Sequence, residues 1–182
     1  MENPRSYFEI ELILNDILRH YDVPEGDPLG LMQKCNLSVL LVEFDGTDSE
    51  KSGYMMCENG KVRIRINVNH ASIHQRRILA HELGHYFLGH LDQKKLFVID
   101  DTKLSVSNID LNCLSTNACT KVPDLEEEIM EIEANCFAIC LLMPKKLVEQ
   151  YWDYNPDPAY LARNFQVSRE AMINRLQFLK LL

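Results

Sequence analysis

The twelve residues from Leu79 to His90, LAHELGHYFLGH, set three histidines and one glutamate into otherwise mostly apolar sequence. A helix this apolar has to bury most of its surface. An ionisable side chain buried without a partner is costly and responds by shifting its pKa until it neutralises. A cluster of four such groups therefore coordinates something or does chemistry, and the rest of the chain has to supply its partners.

At 182 residues the chain is long enough for one domain that buries roughly 70% of its unfolded surface. With 46% hydrophobic and 25% charged residues it has the make-up of an ordinary globular protein. The net charge of −8 disfavours a nucleic-acid binder, which needs clustered Lys and Arg, and suits a basic protein partner better. The opening residues, MENPRSYFEIELIL, lack the basic start and clean apolar core of a signal peptide, and no run is apolar enough to span a bilayer. A cytoplasmic location without membrane association is expected. The six cysteines then stay reduced: Cys113 and Cys119 lack zinc-knuckle spacing, and Cys136 and Cys140 sit at i, i+4 in an apolar run, where Cys acts as a small hydrophobe.

Helical periodicity is clear from Tyr7 to Tyr21, where Ile10, Ile13, Leu14, Ile17 and Leu18 share one face. Ser38 to Phe44 is rich in β-formers. Gly53 to Asn69 reads as a hairpin about Asn59-Gly60, with Val62, Ile64, Ile66 and Val68 alternating with Arg63, Arg65 and Asn67 in its second arm. Helices are expected over Ser72 to Gly89 and over Val122 to Pro144. Pro123 and the acids after it suit the start of the latter helix, and past Asn135 it is apolar on every side. Between them, Leu91 to Val122 reads as a long excursion with one strand-like run at Leu96 to Ile99. After Pro144 a short helix precedes a break at Asn155 to Pro158. Two more helices follow, joined through Gln166-Val167-Ser168, with Ser168 a good N-cap. The expected class is α+β: a small antiparallel sheet packed with helices in residues 1–154, and a helical, helix-turn-helix-like appendage over 155–182.

His81-Glu82-Leu83-Gly84-His85 is an HExxH motif. Four residues of helix advance about 400°, so the two imidazoles lie ~40° apart and ~6 Å along one face, where both reach one metal ion. Glu82 is rotated ~100° from His81, too far round to be a comfortable ligand but placed to take a proton from a water at the metal. A catalytic zinc needs a third protein ligand and an open fourth position. His90 would lie ~140° round a continuing helix from His85, and His74 about 10 Å from His81, a substrate-cleft distance. The extended pattern that takes its third ligand from the same segment would have Gly at position 88 and His at 91, where this chain has Leu88 and Leu91. That leaves an acid from another buried helix, Glu131 or Glu133, between which periodicity does not choose. Asn135, at i+4 from Glu131, could hold an imidazole N–H behind the metal.

RRILAHELGHYFLGH (Arg76 to His90) followed by EIEANCFAICLLMP (Glu131 to Pro144) resembles the ImmA/IrrE family of metallo-endopeptidases, whose signature joins HExxH to a later E-x-E/Q-A-N-x-F-A-x-x-L-L-M-P segment. The resemblance implies a minimal zincin, gluzincin-like core with zinc held by His81, His85 and Glu131, and Glu82 as general base. It also implies a protein client, a helix-turn-helix repressor. Tyr54, Tyr86, His74 and His90 are candidates to steady the oxyanion, with Tyr54, Tyr86 and His74 marked as substrate-cleft residues. The Val62 to Val68 arm is the expected sheet edge for an added substrate strand. Two other readings stand beside this one. The chain could sequester a regulator without cleaving it, its metal purely structural. Alternatively the tail, where Arg163, Arg169, Arg175 and Lys180 outnumber Glu170, could read DNA.

Overall fold

The computed structural model describes residues 4–45, 51–58, 61–90, 97–100 and 125–182. The Leu91 to Val122 excursion falls outside the described residues except for one short strand, as do Asn59-Gly60, Cys113, Cys119 and Pro123.

Helix α1 (Tyr7–Tyr21) begins at a capping box: the Ser6 hydroxyl accepts from the Glu9 N–H and the Glu9 carboxylate from the Ser6 N–H. Its stripe Ile10, Leu14 and Leu18 is buried. Helix α2 (Pro28–Lys34) was not expected from the sequence; its signal is the Asp27-Pro28 pair, in which Asp27 caps Gly30 N–H and Pro28 takes the first turn. Then come β1 (Ser38–Val42), β2 (Lys51–Glu58), β3 (Lys61–Asn67), α3 (Ser72–Phe87) and β4 (Phe97–Asp100). The remaining helices are α4 (Leu125–Leu142), α5 (Lys145–Tyr154), α6 (Pro158–Phe165) and α7 (Arg169–Phe178). Ser168 caps α7 as expected, accepting from Ala171 N–H.

The α+β class holds, but the sheet is mixed. Its order is β1-β3-β2-β4, and β1 runs parallel to β3 while β2 is antiparallel to both of its neighbours. The expectation of a wholly antiparallel sheet assumed that sequence neighbours pair; instead β3 returns between β1 and β2. For the same reason the Val62 to Val68 arm is central, and the edges among the described strands are β1 and β4. The strand stops at Asn67, so Val68 is exposed, while Asn67 is buried with its amide on the Lys51 carbonyl.

One face of the sheet, through Met55, Ile64 and Ile66, packs on α3, and Gly53 lets the two approach: a Cβ there would sit 2.6 Å from Ile78 Cγ2. Beyond α3 lies α4, whose second half is buried on all sides from Glu133 to Leu142. The C-terminal helices share this core through Leu161, Phe165, Met172 and Leu176. Arg76 of α3 ties them in, donating to the Phe165 carbonyl and, on the other side, to the Gly26 carbonyl. Arg175, counted above among the basic residues of the tail, is not on the surface: it is 1% exposed, with its Nε on the Met143 carbonyl. Among the described residues no helix is long and apolar enough to cross a membrane.

Candidate metal centre

The centre depends on how closely α3 and α4 approach. Gly84, inside the HExxH motif, faces Ala134; a Cβ on Gly84 would fall 2.9 Å from both the Cα and the carbonyl oxygen of Ala134 and 3.1 Å from Phe137 Cβ. Only glycine allows this crossing without displacing backbone. At that separation, side chains of α4 reach the imidazoles of α3.

His81 and His85 are fully buried, with their Nε2 atoms 2.9 Å apart. Glu131 lies across both, Oε2 at 3.3 Å from His81 Nε2 and Oε1 at 3.3 Å from His85 Nε2. One ligand atom from each of the three residues lies within 4.8 Å of the others. Metal–ligand bonds of ~2.0–2.1 Å give a tetrahedron edges of ~3.3 Å, so the set fits three of its corners. Two imidazole lone pairs facing each other at this distance repel unless a proton or a cation lies between them. Burial pushes the His85 imidazole down to about 4, against the pull of Glu131, so the ring is neutral at neutral pH, and with its one proton on Nδ1 its Nε2 offers a lone pair. Burial also opposes the charge on Glu131, but the two imidazoles beside it outweigh burial and hold its carboxyl well below the usual range. An anion facing two neutral imidazoles suits a divalent cation.

Glu82 is fully buried, and neither of its carboxylate oxygens has a hydrogen-bond partner among the described residues. Burial, and then the nearby charge of Glu131, pushes its pKa well above the carboxylate range. A buried carboxyl with a raised pKa, set beside a trio able to hold a metal ion but outside it, has the properties of a general acid–base group.

Residues 35–177 match the model of the peptidase family described as the IrrE N-terminal-like domain. The chain belongs to this family. No curated protein matches it. Membership in the IrrE-like family gives the chain a metallopeptidase-type function, and both motifs lie inside the matched span, whereas α1 and the residues before it lie outside.

Around the trio, Asn135 stands behind His81, its Oδ1 3.0 Å from His81 Nδ1, as the i+4 spacing from Glu131 suggested. The two acids left open by periodicity face different neighbours. Glu131 meets His81 and His85, while Glu133 meets His90 Nε2 at 3.1 Å and is bonded by Arg5. Burial works to raise the Glu133 pKa, but the hydrogen bonds from His90 and Arg5 prevail and lower it. His90 is neither a ligand nor far away. Helix α3 stops at Phe87 and Gly89 turns with φ of +77°, so the chain folds back and sets His90 Nδ1 3.1 Å from His85 Nδ1. The angle of ~140° assumed a helix that continues. Arg5 gave no signal in the sequence, since nothing local links it to residues on α4.

The cleft candidates do not join the trio. Tyr54 alternates with Gly53 and Met55 and so faces away from α3; its hydroxyl accepts from Arg65 at 2.9 Å and its ring lies against Phe44. Tyr86 packs edge-on against Phe87. His74 stacks on His70 with centroids 4.4 Å apart, and shares with Arg77, Asn135 and Ile139 the lining of a cavity of about 180 Å³.

Proposed function

We propose that the chain is a zinc-dependent endopeptidase that hydrolyses a peptide bond in a helix-turn-helix transcriptional repressor in the cytoplasm. The observation that carries this reading is Glu82: a buried carboxyl without a hydrogen-bond partner among the described residues, beside a His/His/Glu trio, in a member of a peptidase family. A structural ion would give the chain no reason to keep an acid there, because the unpartnered carboxyl costs stability.

His81, His85 and Glu131 would hold the ion, and a divalent ion such as zinc supplies Lewis-acid polarisation of a carbonyl and brings the pKa of a bound water near ~7. The chain's own residues do the rest. Asn135 fixes the His81 ring by accepting from Nδ1–H, leaving Nε2 directed at the trio. Glu82, desolvated and raised in pKa, takes the proton of the attacking water and returns it to the departing amine nitrogen. The repressor client follows from the resemblance to ImmA/IrrE proteins, and the net charge of −8 suits a basic client.

The test is co-expression with a repressor client, with metal content measured on the same preparations. Glu82→Gln keeps the fold and the zinc and stops cleavage, whereas Glu131→Ala loses both zinc and cleavage. Relief of repression by Glu82→Gln at the parental level, with loss in the zinc-ligand variants, would replace proteolysis by sequestration of the regulator. Zinc lost from Glu133→Ala but retained by Glu131→Ala would move the third ligand to Glu133.

A further inference from the structure

We propose that Arg5, Glu133 and His90 are positioning residues for His85, so that the N-terminal segment, outside the family-matched span, completes the metal centre from 128 residues away. The inference rests on the metallopeptidase reading of the His81/His85/Glu131 trio and extends it to a part of the chain that the two motifs do not include.

The argument starts from proton order. His85 Nδ1 and His90 Nδ1 are 3.1 Å apart, and a hydrogen bond between them holds one proton. The other nitrogen of His90 faces Glu133 Oε2 at 3.1 Å, and an ionised carboxylate only accepts. His90 therefore carries its proton on Nε2 and donates it to Glu133, which leaves His90 Nδ1 as acceptor. His85 must then donate from Nδ1, and its lone pair falls on Nε2, the atom that faces His81 and Glu131. The reverse order would place a proton on the ligating nitrogen. Support of this kind on a metal-bound imidazole usually comes from a carboxylate or carbonyl directly; here it passes through a second imidazole.

Arg5 fixes the far end of the chain. Its backbone N–H donates to Glu133 Oε1 at 2.6 Å and its Nη1 to Oε2 at 2.5 Å, so the carboxylate is held by both oxygens with Oε2 turned to His90. Its Nη2 donates to the Leu88 carbonyl at 3.1 Å, fixing the end of α3 from which the chain turns back to His90. His90 N–H closes that turn on the His85 carbonyl at 3.0 Å. The capping box on Ser6 and Glu9 sets the backbone that follows Arg5, so the N–H aimed at Glu133 is held by α1 itself.

The experiment is zinc affinity of the full chain by competition with a chromophoric chelator, with the melting temperature of the metal-free protein measured beside it. The variants are His90→Phe, Glu133→Gln and Arg5→Ala. The expected result is zinc binding weakened by about 10- to 100-fold in His90→Phe and Glu133→Gln, and by a smaller factor in Arg5→Ala, which is farthest from the trio. Arg5 is a part-exposed residue ahead of the first helix, so its variant decides the matter even if the buried substitutions do not fold. Parental affinity in every folded variant, with only the metal-free melting temperature lowered, overturns the proposal and leaves these contacts a purely structural role. A parent chain that binds no zinc overturns the metallopeptidase reading itself, an outcome separate from unchanged affinities among variants of a zinc-binding parent.

Discussion

Two buried ionisable side chains, Glu82 and Arg175, are met to different degrees by their surroundings. Glu82 on α3 has no hydrogen-bond donor for either oxygen among the described residues. Arg175 on α7 is almost as deeply buried, yet its Nε donates to the Met143 carbonyl at the end of α4, and its guanidinium lies over the rings of Tyr7 and Phe178, 5.3 and 5.9 Å from their centroids. Arg175 ties three helices through its Nε on a carbonyl oxygen and its guanidinium face on two aromatic rings, while its Nη1 and Nη2, buried as well, make no hydrogen bond among the described residues. Glu82 ties nothing. A buried cation that a carbonyl and two aromatic faces meet in part serves the fold, whereas a buried carboxyl with no donor on either oxygen among the described residues, beside side chains able to hold a metal ion, fits a reaction.

If that contrast is right, the two side chains should separate activity from stability. The largest effect is expected for Glu82→Gln: a fall in peptide hydrolysis of about 10²- to 10⁴-fold, the range over which general acid–base groups contribute. Its melting temperature should stay equal to or above the parent's, because the carboxyl it replaces makes no hydrogen bond among the described residues that the amide would break. A lower melting temperature would show that Glu82 contributes to the fold and would break the comparison.

Arg175→Ala should do the reverse. It removes a hydrogen bond from a charged donor and leaves the Met143 carbonyl short of a partner, a loss of about 1.5–3 kcal/mol in denaturant unfolding. Zinc content and activity per folded molecule should not change. A drop in zinc affinity at full folding would mean that the tail communicates with the centre.

Gly84→Ala sharpens the contrast from the site's side. Its methyl group meets the backbone of Ala134, and the cost of overpacking is about 1–3 kcal/mol, toward the lower end if α4 slides outward. The displacement should appear as weaker zinc binding, since it moves Glu131 away from His81 and His85. Parental zinc affinity in this variant would show that the trio tolerates a looser helix crossing than its geometry implies.

Much of the molecule could be read from local pattern. Helix α1 spans Tyr7 to Tyr21 as its periodicity indicates, α4 is buried wherever it is apolar on every side, and the tail divides at Gln166 to Ser168. These features follow from side-chain spacing and capping, which act over a few residues. The HExxH spacing likewise brings His81 and His85 to one face of α3, because a helix sets that geometry by itself.

The tertiary structure decided what spacing leaves open. Glu131 and Glu133 are two residues apart on one helix, and only the orientation of α4 against α3 separates the acid that meets His81 and His85 from the one that meets His90 and Arg5. Strand order was decided the same way: β3 pairs with β1 because it inserts between β1 and β2, which no alternation pattern records. Arg175 counted among the basic residues of the tail and is core, and Arg5, which carried no signal in the sequence, holds a carboxylate behind the candidate metal ligands. In each case the partner is a long way off in sequence. The sequence therefore determined which groups are available and on which helical face they lie. The packing of α3 on α4, set by the missing side chain of Gly84, determined which of them meet, because a contact between distant segments depends on how whole elements fit together and leaves no periodic trace in either segment.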